Sequence, residues 1–223
     1  MQSQDFSAVI FDMDGVIVDS EPRHERAFLD VVHELGYGNT HGVQWADWVG
    51  RSDHELWADF VAKHKPAESL EQLLKMKRDR VVEIIRREQP VFAGLAELVG
   101  RLSRVCKLGL ASGSERPVVE AVLSLQDLRR FFSATVTGSD IKRGKPAPDI
   151  FLRAAELLDV APAHCWVIED SKPGVAAGLA AGMRVIAITN THPAHELRQA
   201  TQVVSSYSDI ERFLLKAGES VSG

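Results

Sequence analysis

The chain has 223 residues, 45% hydrophobic and 26% charged, an ordinary globular composition with room for one large domain plus an insertion. Lys and Arg number 26 against 31 Asp and Glu, so the net charge of -5 gives no electrostatic footprint for nucleic acid or an anionic membrane surface. Two cysteines, Cys106 and Cys165, are too few for a disulfide framework and lack metal-ligand spacing, which fits a reducing cytoplasm.

Residues 1–7 are polar and have neither the charged start nor the long apolar run of a secretion signal, and no stretch has the length and apolarity to span a bilayer. Short apolar runs at 8–11, 105–111, 134–137, 165–168 and 184–188 read as strands, most followed by a turn and a helical pattern. That cadence belongs to a parallel α/β sheet. Cys106 and Cys165 both fall in such runs, where a free cysteine packs as a small hydrophobe.

The interval 20–90 breaks the cadence, carrying several helical patterns without a convincing strand. Ser20-Glu21-Pro22 and Gln89-Pro90-Val91-Phe92-Ala93-Gly94 flank it as linkers. The expected fold class is α/β: a Rossmann-like parallel sheet core formed by residues 1–19 and 91–223, with residues 20–90 inserted as an α-helical domain. Residues 218–223 are expected to fray.

Ligands of an open parallel sheet collect outside the carboxyl ends of its strands. The residues expected there are Asp12-Met13-Asp14-Gly15, Ser112-Gly113-Ser114, Gly144-Lys145-Pro146 and Glu169-Asp170-Ser171. Asp12 and Asp14 are two apart, so on an extended backbone both carboxylates leave the same side, and Gly15 lets the chain turn sharply. Adding Glu169 and Asp170 would gather four carboxylates, a costly charge without a counter-ion. An oxygen-only ligand set calls for a hard cation, usually Mg²⁺ where a substrate supplies phosphate oxygens.

A carboxylate can attack phosphorus and split hydrolysis into two displacements through an acyl phosphate, while its partner protonates the leaving oxygen. Lys145 and the metal would neutralise the transferring phosphoryl group, and the Ser112 hydroxyl with N–H groups near Gly113 could bind its outer oxygens. Blander readings stand beside these. Asp12 and Asp14 suit a turn or cap, Ser112 with Glu115 makes a capping box, and Lys145 suits a solvated surface.

In this order, Phe11-Asp12-Met13-Asp14-Gly15-Val16-Ile17-Val18-Asp19-Ser20, Leu110-Ala111-Ser112, Lys145-Pro146 and Glu169-Asp170 resemble the four signatures of the haloacid dehalogenase (HAD) superfamily. The resemblance implies Asp12 as nucleophile, Asp14 as general acid and base, and Ser112, Gly113 and Lys145 as the phosphate site. It also implies Mg²⁺ on the Asp12 carboxylate, the Asp14 main-chain carbonyl and Asp170, with Glu169 ligating directly or through water. The helical insertion is similar to the mobile cap of the subclass acting on small molecules, which implies a small phosphorylated metabolite as substrate; separately, a monomer or weak homo-oligomer is expected.

On the inserted helices, Lys77 sits centrally in the stripe Leu70, Leu73, Leu74, Val81 and Ile84, and His24 shares a face with Phe28, Val31 and Leu35. They read either as a snorkelling lysine and a satisfied histidine or as substrate residues of a cleft. Both match cap positions used by the related β-phosphoglucomutases; Arg51 is a third candidate. Lys75, Arg78, Arg80, Arg86 and Arg87 alternate with Glu71, Asp79, Glu83 and Glu88, a solvated ion-paired face.

Mutases of this type follow the second signature with Lys-Asn, whereas this chain has Ser114-Glu115-Arg116-Pro117. An acidic residue there does not favour a bisphosphate. The dehalogenase branch lacks the second aspartate, which Asp14 supplies here. The expected activity is therefore hydrolysis of a sugar phosphate or phosphorylated sugar acid, with a hexose phosphate mutase as the alternative. A non-catalytic binding module is the reading from another class, opposed by the costly charge cluster that Asp12, Asp14, Lys145 and Asp170 would form.

Overall fold

A computed structural model describes residues 6–48 and 52–216. The chain divides into two compact units, Met1–Asp19 with Val91–Gly223 and Ser20–Pro90.

The second unit holds helices α1 (Glu21–Glu34), α2 (Asp53–His64) and α3 (Leu70–Glu88). Local sequence fixes where they start and stop. Pro22 opens α1, and the Ser52/Glu55 and Ser69/Gln72 pairs form capping boxes that satisfy the first N–H groups of α2 and α3. Phe28, Val31 and Val32 of α1 pack with Leu56, Trp57 and Phe60 of α2 and Leu73 of α3. The Phe28 and Trp57 rings lie 5.1 Å apart. The charged face is ion-paired within α3, as in Lys75–Asp79, and also across helices. Arg80 meets Asp30 and Glu34, and Arg23 and Arg26 meet Glu88.

The first unit is a six-stranded sheet in the order β3-β2-β1-β4-β5-β6, parallel throughout. Its strands are β1 (Ala8–Phe11), β2 (Lys107–Ala111), β3 (Ala134–Val136), β4 (Cys165–Glu169), β5 (Arg184–Ile188) and β6 (Gln202–Val204). The sheet is flanked by α4 (Leu95–Leu102), α5 (Arg116–Ser124), α6 (Asp149–Leu158), α7 (Lys172–Ala180) and α8 (Tyr207–Lys216). β1 and β4 are buried at every residue, as central strands covered on both faces must be. Strand order reverses between β1 and β4, the topological switch at which such sheets bind ligands.

Several boundaries differ from expectation. β2 begins at Lys107 because Val105 is exposed and Cys106 N–H bonds Leu102 O in the turn after α4. Thr137 leaves β3 to open a 3₁₀ turn at Gly138–Asp140, its N–H bonded to Asp140. β6 was not expected, since three residues are too few to carry a period-2 pattern. Burial pushes the Cys106 and Cys165 thiols up to about 12 and about 11, so both are unreactive. No helix of the described residues is long and apolar enough to cross a membrane.

Candidate active site

Asp12 leaves the end of β1 with its N–H bonded to Ile168 O, which ties the loop after β1 to β4. The next peptides close tightly: Met13 O accepts from the N–H groups of Val16, Ile17 and Val18. Gly15 has φ +76°, and a Cβ there would lie 1.9 Å from Asp170 Oδ2, so only glycine fits. Asn190 Nδ2 donates to Gly15 O, and Tyr207 Oη donates to Val16 O, so residues from beyond β5 brace the same loop.

Four predicted residues meet at the β1/β4 edge. Lys145 Nζ lies 2.7 Å from Asp12 Oδ1 and 2.5 Å from Glu169 Oε1. Asp12, Glu169 and Asp170 each offer a carboxylate oxygen, all within 4.8 Å of one another, and all three are buried. Glu169 Oε2 accepts from the N–H groups of Asp170 and Ser171 and from Ser171 Oγ. Thr191 Oγ1 donates to Asp170 Oδ2.

The electrostatics explain what this cluster requires. Burial pushes the Asp12 carboxyl well above the usual range against the pull of Lys145, and Glu169, Asp14 and Asp170 add to the rise. Burial, reinforced by Glu169, raises Asp170 to about 7 while the Thr191 hydroxyl opposes it. Burial also works against Glu169, yet Lys145 and the hydrogen bonds from Ser171 and Asp170 outweigh it and hold this carboxyl low. Lys145 stays protonated for the same reason: Asp12 and Glu169 overcome its own desolvation. Buried oxygens that resist ionisation without a counter-charge fit a divalent cation.

Asp14 and Ser112 stand together at the mouth of β2. Asp14 Oδ2 accepts from Ser112 Oγ at 3.2 Å and from Ser114 Oγ at 2.8 Å. The capping-box reading of Ser112 is overturned. α5 starts at Arg116 with Glu115 as its N-cap residue, and Ser112 Oγ accepts from Ser114 N–H at 3.0 Å instead. Gly113 is exposed beside them. Lys145 does not directly follow a strand, because the 3₁₀ turn at Gly138–Asp140 and a loop separate it from β3; nor does it sit on a solvated surface. Glu169 is the last residue of β4 rather than the first beyond it.

A family profile described as haloacid dehalogenase-like hydrolase matches residues 6–182. The chain belongs to the haloacid dehalogenase-like hydrolases. It is a phosphatase-type enzyme of that family. Hexitol phosphatase B of Escherichia coli K12 is 34% identical over 189 residues, covering 81% of this chain and 82% of that protein. Beta-phosphoglucomutase of Bacillus subtilis is 31% identical over 216 residues, covering 93% of each. Among solved structures, CbbY from Rhodobacter sphaeroides in complex with xylulose-(1,5)bisphosphate superposes with a TM-score of 0.78 at 25% identity, covering 92% of this chain and 96% of that one. A divalent metal is general to the family.

In the helical unit of this hydrolase, Lys77 is buried and does not snorkel, its side chain only 1% exposed. Its Nζ donates to Asp53 Oδ1 at 2.5 Å and to His24 Nδ1 at 2.8 Å, and lies 5.9 Å from the Trp45 ring centroid. An ammonium has no acceptor, so Nδ1 of His24 must be the unprotonated ring nitrogen. Arg51 lies outside the described residues.

Sequence reasoning placed Ser114 and Ser171 at the ligand edge without giving either a role, and missed Thr191 and Asp53. Thr191 was open to discovery, since it follows β5 at the ligand edge. Asp53 carried no signal, because as the first residue of α2 it reads as an ordinary N-terminal acid.

Proposed function

We propose that this protein is a Mg²⁺-dependent phosphatase of a small phosphorylated metabolite, a sugar phosphate or phosphorylated sugar acid, acting through an aspartyl-phosphate on Asp12. The observation carrying this reading is the Asp12 carboxylate held 2.7 Å from Lys145, beside an acidic pair and across from an anchored Asp14.

In the first step an Asp12 oxygen attacks phosphorus, the bond to the ester oxygen breaks, and Asp14 gives its proton to that leaving oxygen. Lys145, the Ser112 hydroxyl and N–H groups near Gly113 hold the phosphoryl oxygens. In the second step Asp14 takes a proton from water as the water oxygen attacks phosphorus. Inorganic phosphate departs and the Asp12 carboxylate returns. Mg²⁺ on Asp12, the Asp14 carbonyl and Asp170 would supply charge neutralisation and orientation of the phosphoryl group. The occupied oxygens of Glu169 favour its acting through water.

The helical unit, residues 20–90, is assigned the role of a cap that selects small substrates, with His24, Arg51 and Lys77 as its candidate substrate residues. The free thiols fit a cytoplasmic enzyme.

The second reading, a hexose phosphate mutase, draws on the likeness to a β-phosphoglucomutase over 93% of the chain. Hydrolysis is favoured because Glu115-Arg116 stands where mutases carry Lys-Asn, and both Asp140 oxygens accept from Arg116 Nη2 at 2.8 Å. One nitrogen of that half-exposed guanidinium is thereby engaged. The test is phosphate release from a panel of sugar phosphates and phosphorylated sugar acids with Mg²⁺, while isomerisation of β-glucose 1-phosphate is followed in parallel. Release from a subset supports the phosphatase; glucose 6-phosphate formation without comparable release supports the mutase.

A further inference from the structure

We infer that Ser114 is a positioning residue for Asp14, holding the acid in place while the Ser112 hydroxyl is taken by the substrate's phosphate. The inference rests on the proposed role of Asp14 as the general acid.

The geometry is a three-residue knot at the end of β2. Asp14 Oδ2 accepts from Ser112 Oγ at 3.2 Å and from Ser114 Oγ at 2.8 Å, while Ser114 N–H donates to Ser112 Oγ at 3.0 Å. Ser112 is fully buried and Ser114 is half-buried. A hydroxyl has a single proton to donate. With Ser112 Oγ donating to Asp14, that proton is unavailable to an incoming phosphate. Once a phosphoryl oxygen takes it, Ser112 no longer restrains Asp14, and the shorter bond from Ser114 remains.

Ser114 is suited to this because its two groups act separately. Its backbone N–H keeps Ser112 Oγ fixed from one side, independent of side-chain identity, and its hydroxyl limits rotation of the Asp14 carboxyl. Ser114 O also accepts from Gly138 N–H at 3.2 Å, and a Cβ on Gly138 would meet Gly113 O at 2.4 Å. The loop that carries the hydroxyl is therefore packed closely against the chain after β3. A hydrogen bond from a rigid loop to the acid acts on proton delivery to the leaving oxygen, which matters for a poor leaving group and little for a good one.

The experiment compares Ser114→Ala and Ser114→Thr with the unsubstituted enzyme in Mg²⁺, reading kcat/KM for an alkyl phosphate from the substrate panel and for p-nitrophenyl phosphate. This ratio reports the step in which the ester bond breaks. Ser114→Ala should lose about tenfold on the alkyl ester, the order expected for one hydrogen bond, and stay within about twofold on the nitrophenyl ester. Ser114→Thr, which keeps the hydroxyl, should recover most of the loss. Equal losses on both esters, or none on either, would overturn the inference. Asp14→Asn run on the same pair separates the two claims. If it shows the leaving-group-dependent loss and Ser114→Ala does not, only the positioning role fails; if Asp14→Asn shows no such dependence, the reading of Asp14 as general acid fails first.

Discussion

The Lys145 ammonium bonds Asp12 at 2.7 Å and Glu169 at 2.5 Å, making it the cation that joins the proposed nucleophile to the buried acid at the end of β4. Lys145 reaches this position from a loop well beyond β3, so a charge far along the chain governs what the two carboxylates can do.

Replacing Lys145 by Met should therefore cost both catalysis and stability. Removing one partner from a buried ion pair leaves an uncompensated charge, worth about 3–5 kcal/mol. In chelator the variant should be destabilised on that scale, and added Mg²⁺ should restore part of it. Its kcat/KM on the best ester should fall at least about 10²-fold, as expected when a donor to the transferring group is lost. Near-normal turnover would remove Lys145 from the phosphate site.

The raised carboxyl of Asp170 sets a pH dependence with a definite sign. Folded it titrates at about 7, whereas an unfolded aspartate titrates at about 3.9. Between those values the folded state binds the extra proton. The contribution of this group to metal-free stability is therefore full below about pH 4, falls as pH rises, and is lost once pH passes about 7. A divalent cation competes with that proton, so stabilisation by Mg²⁺ should grow from pH 5 to pH 8. Thermal melts with Mg²⁺ and with chelator at the two pH values check this; equal Mg²⁺ shifts at both would contradict it.

Thr191 should matter through Asp170. Its hydroxyl donates to Oδ2 and holds the Asp170 carboxyl lower than burial alone would. Thr191→Val removes that bond at similar volume, and Mg²⁺ affinity at neutral pH should weaken about 10–100-fold, the range for a lost partner behind a metal ligand. Thr191→Ser should keep most of it. A Mg²⁺ titration of activity or of thermal stability reads the difference.

Much of the core was legible because its signals are local. The period and burial of β1, β2, β4 and β5 stand in the sequence, and the ligand edge of a parallel sheet follows from them, so Asp12, Asp14, Ser112, Glu169 and Asp170 could be named before any geometry was known. What escaped depends on three-dimensional partnership. Ser112 mimics a capping box until α5 is seen to begin at Arg116. The brace from Asn190 and Tyr207 to Gly15 and Val16 spans well over a hundred residues and has no sequence period. Lys77 was visible as an anomaly on an apolar stripe, but its Asp53 partner was not, because nothing in α2 marks that acid as different from a helix-start carboxylate.

That pair gives an asymmetric prediction within the helical unit. Asp53 is 37% exposed and can be hydrated without Lys77, whereas Lys77 is 1% exposed and, without Asp53, would be left with the uncharged contacts to His24 Nδ1 and the Trp45 ring among the described residues. Asp53→Asn should thus destabilise more than Lys77→Met, which removes the buried charge itself and should cost less than about 1.5 kcal/mol. Denaturant unfolding of the two variants checks the order; a greater loss in Lys77→Met would contradict it.

The most direct measurement is an acid quench of the enzyme during turnover of its best phosphate ester in Mg²⁺, followed by peptide mass analysis. The expected result is a phosphoryl group on Asp12, absent in Asp12→Asn. Rapid phosphate release with no phosphorylated residue at any quench time, or a phosphoryl group on Asp14 or Asp170 instead, would contradict nucleophilic catalysis by Asp12.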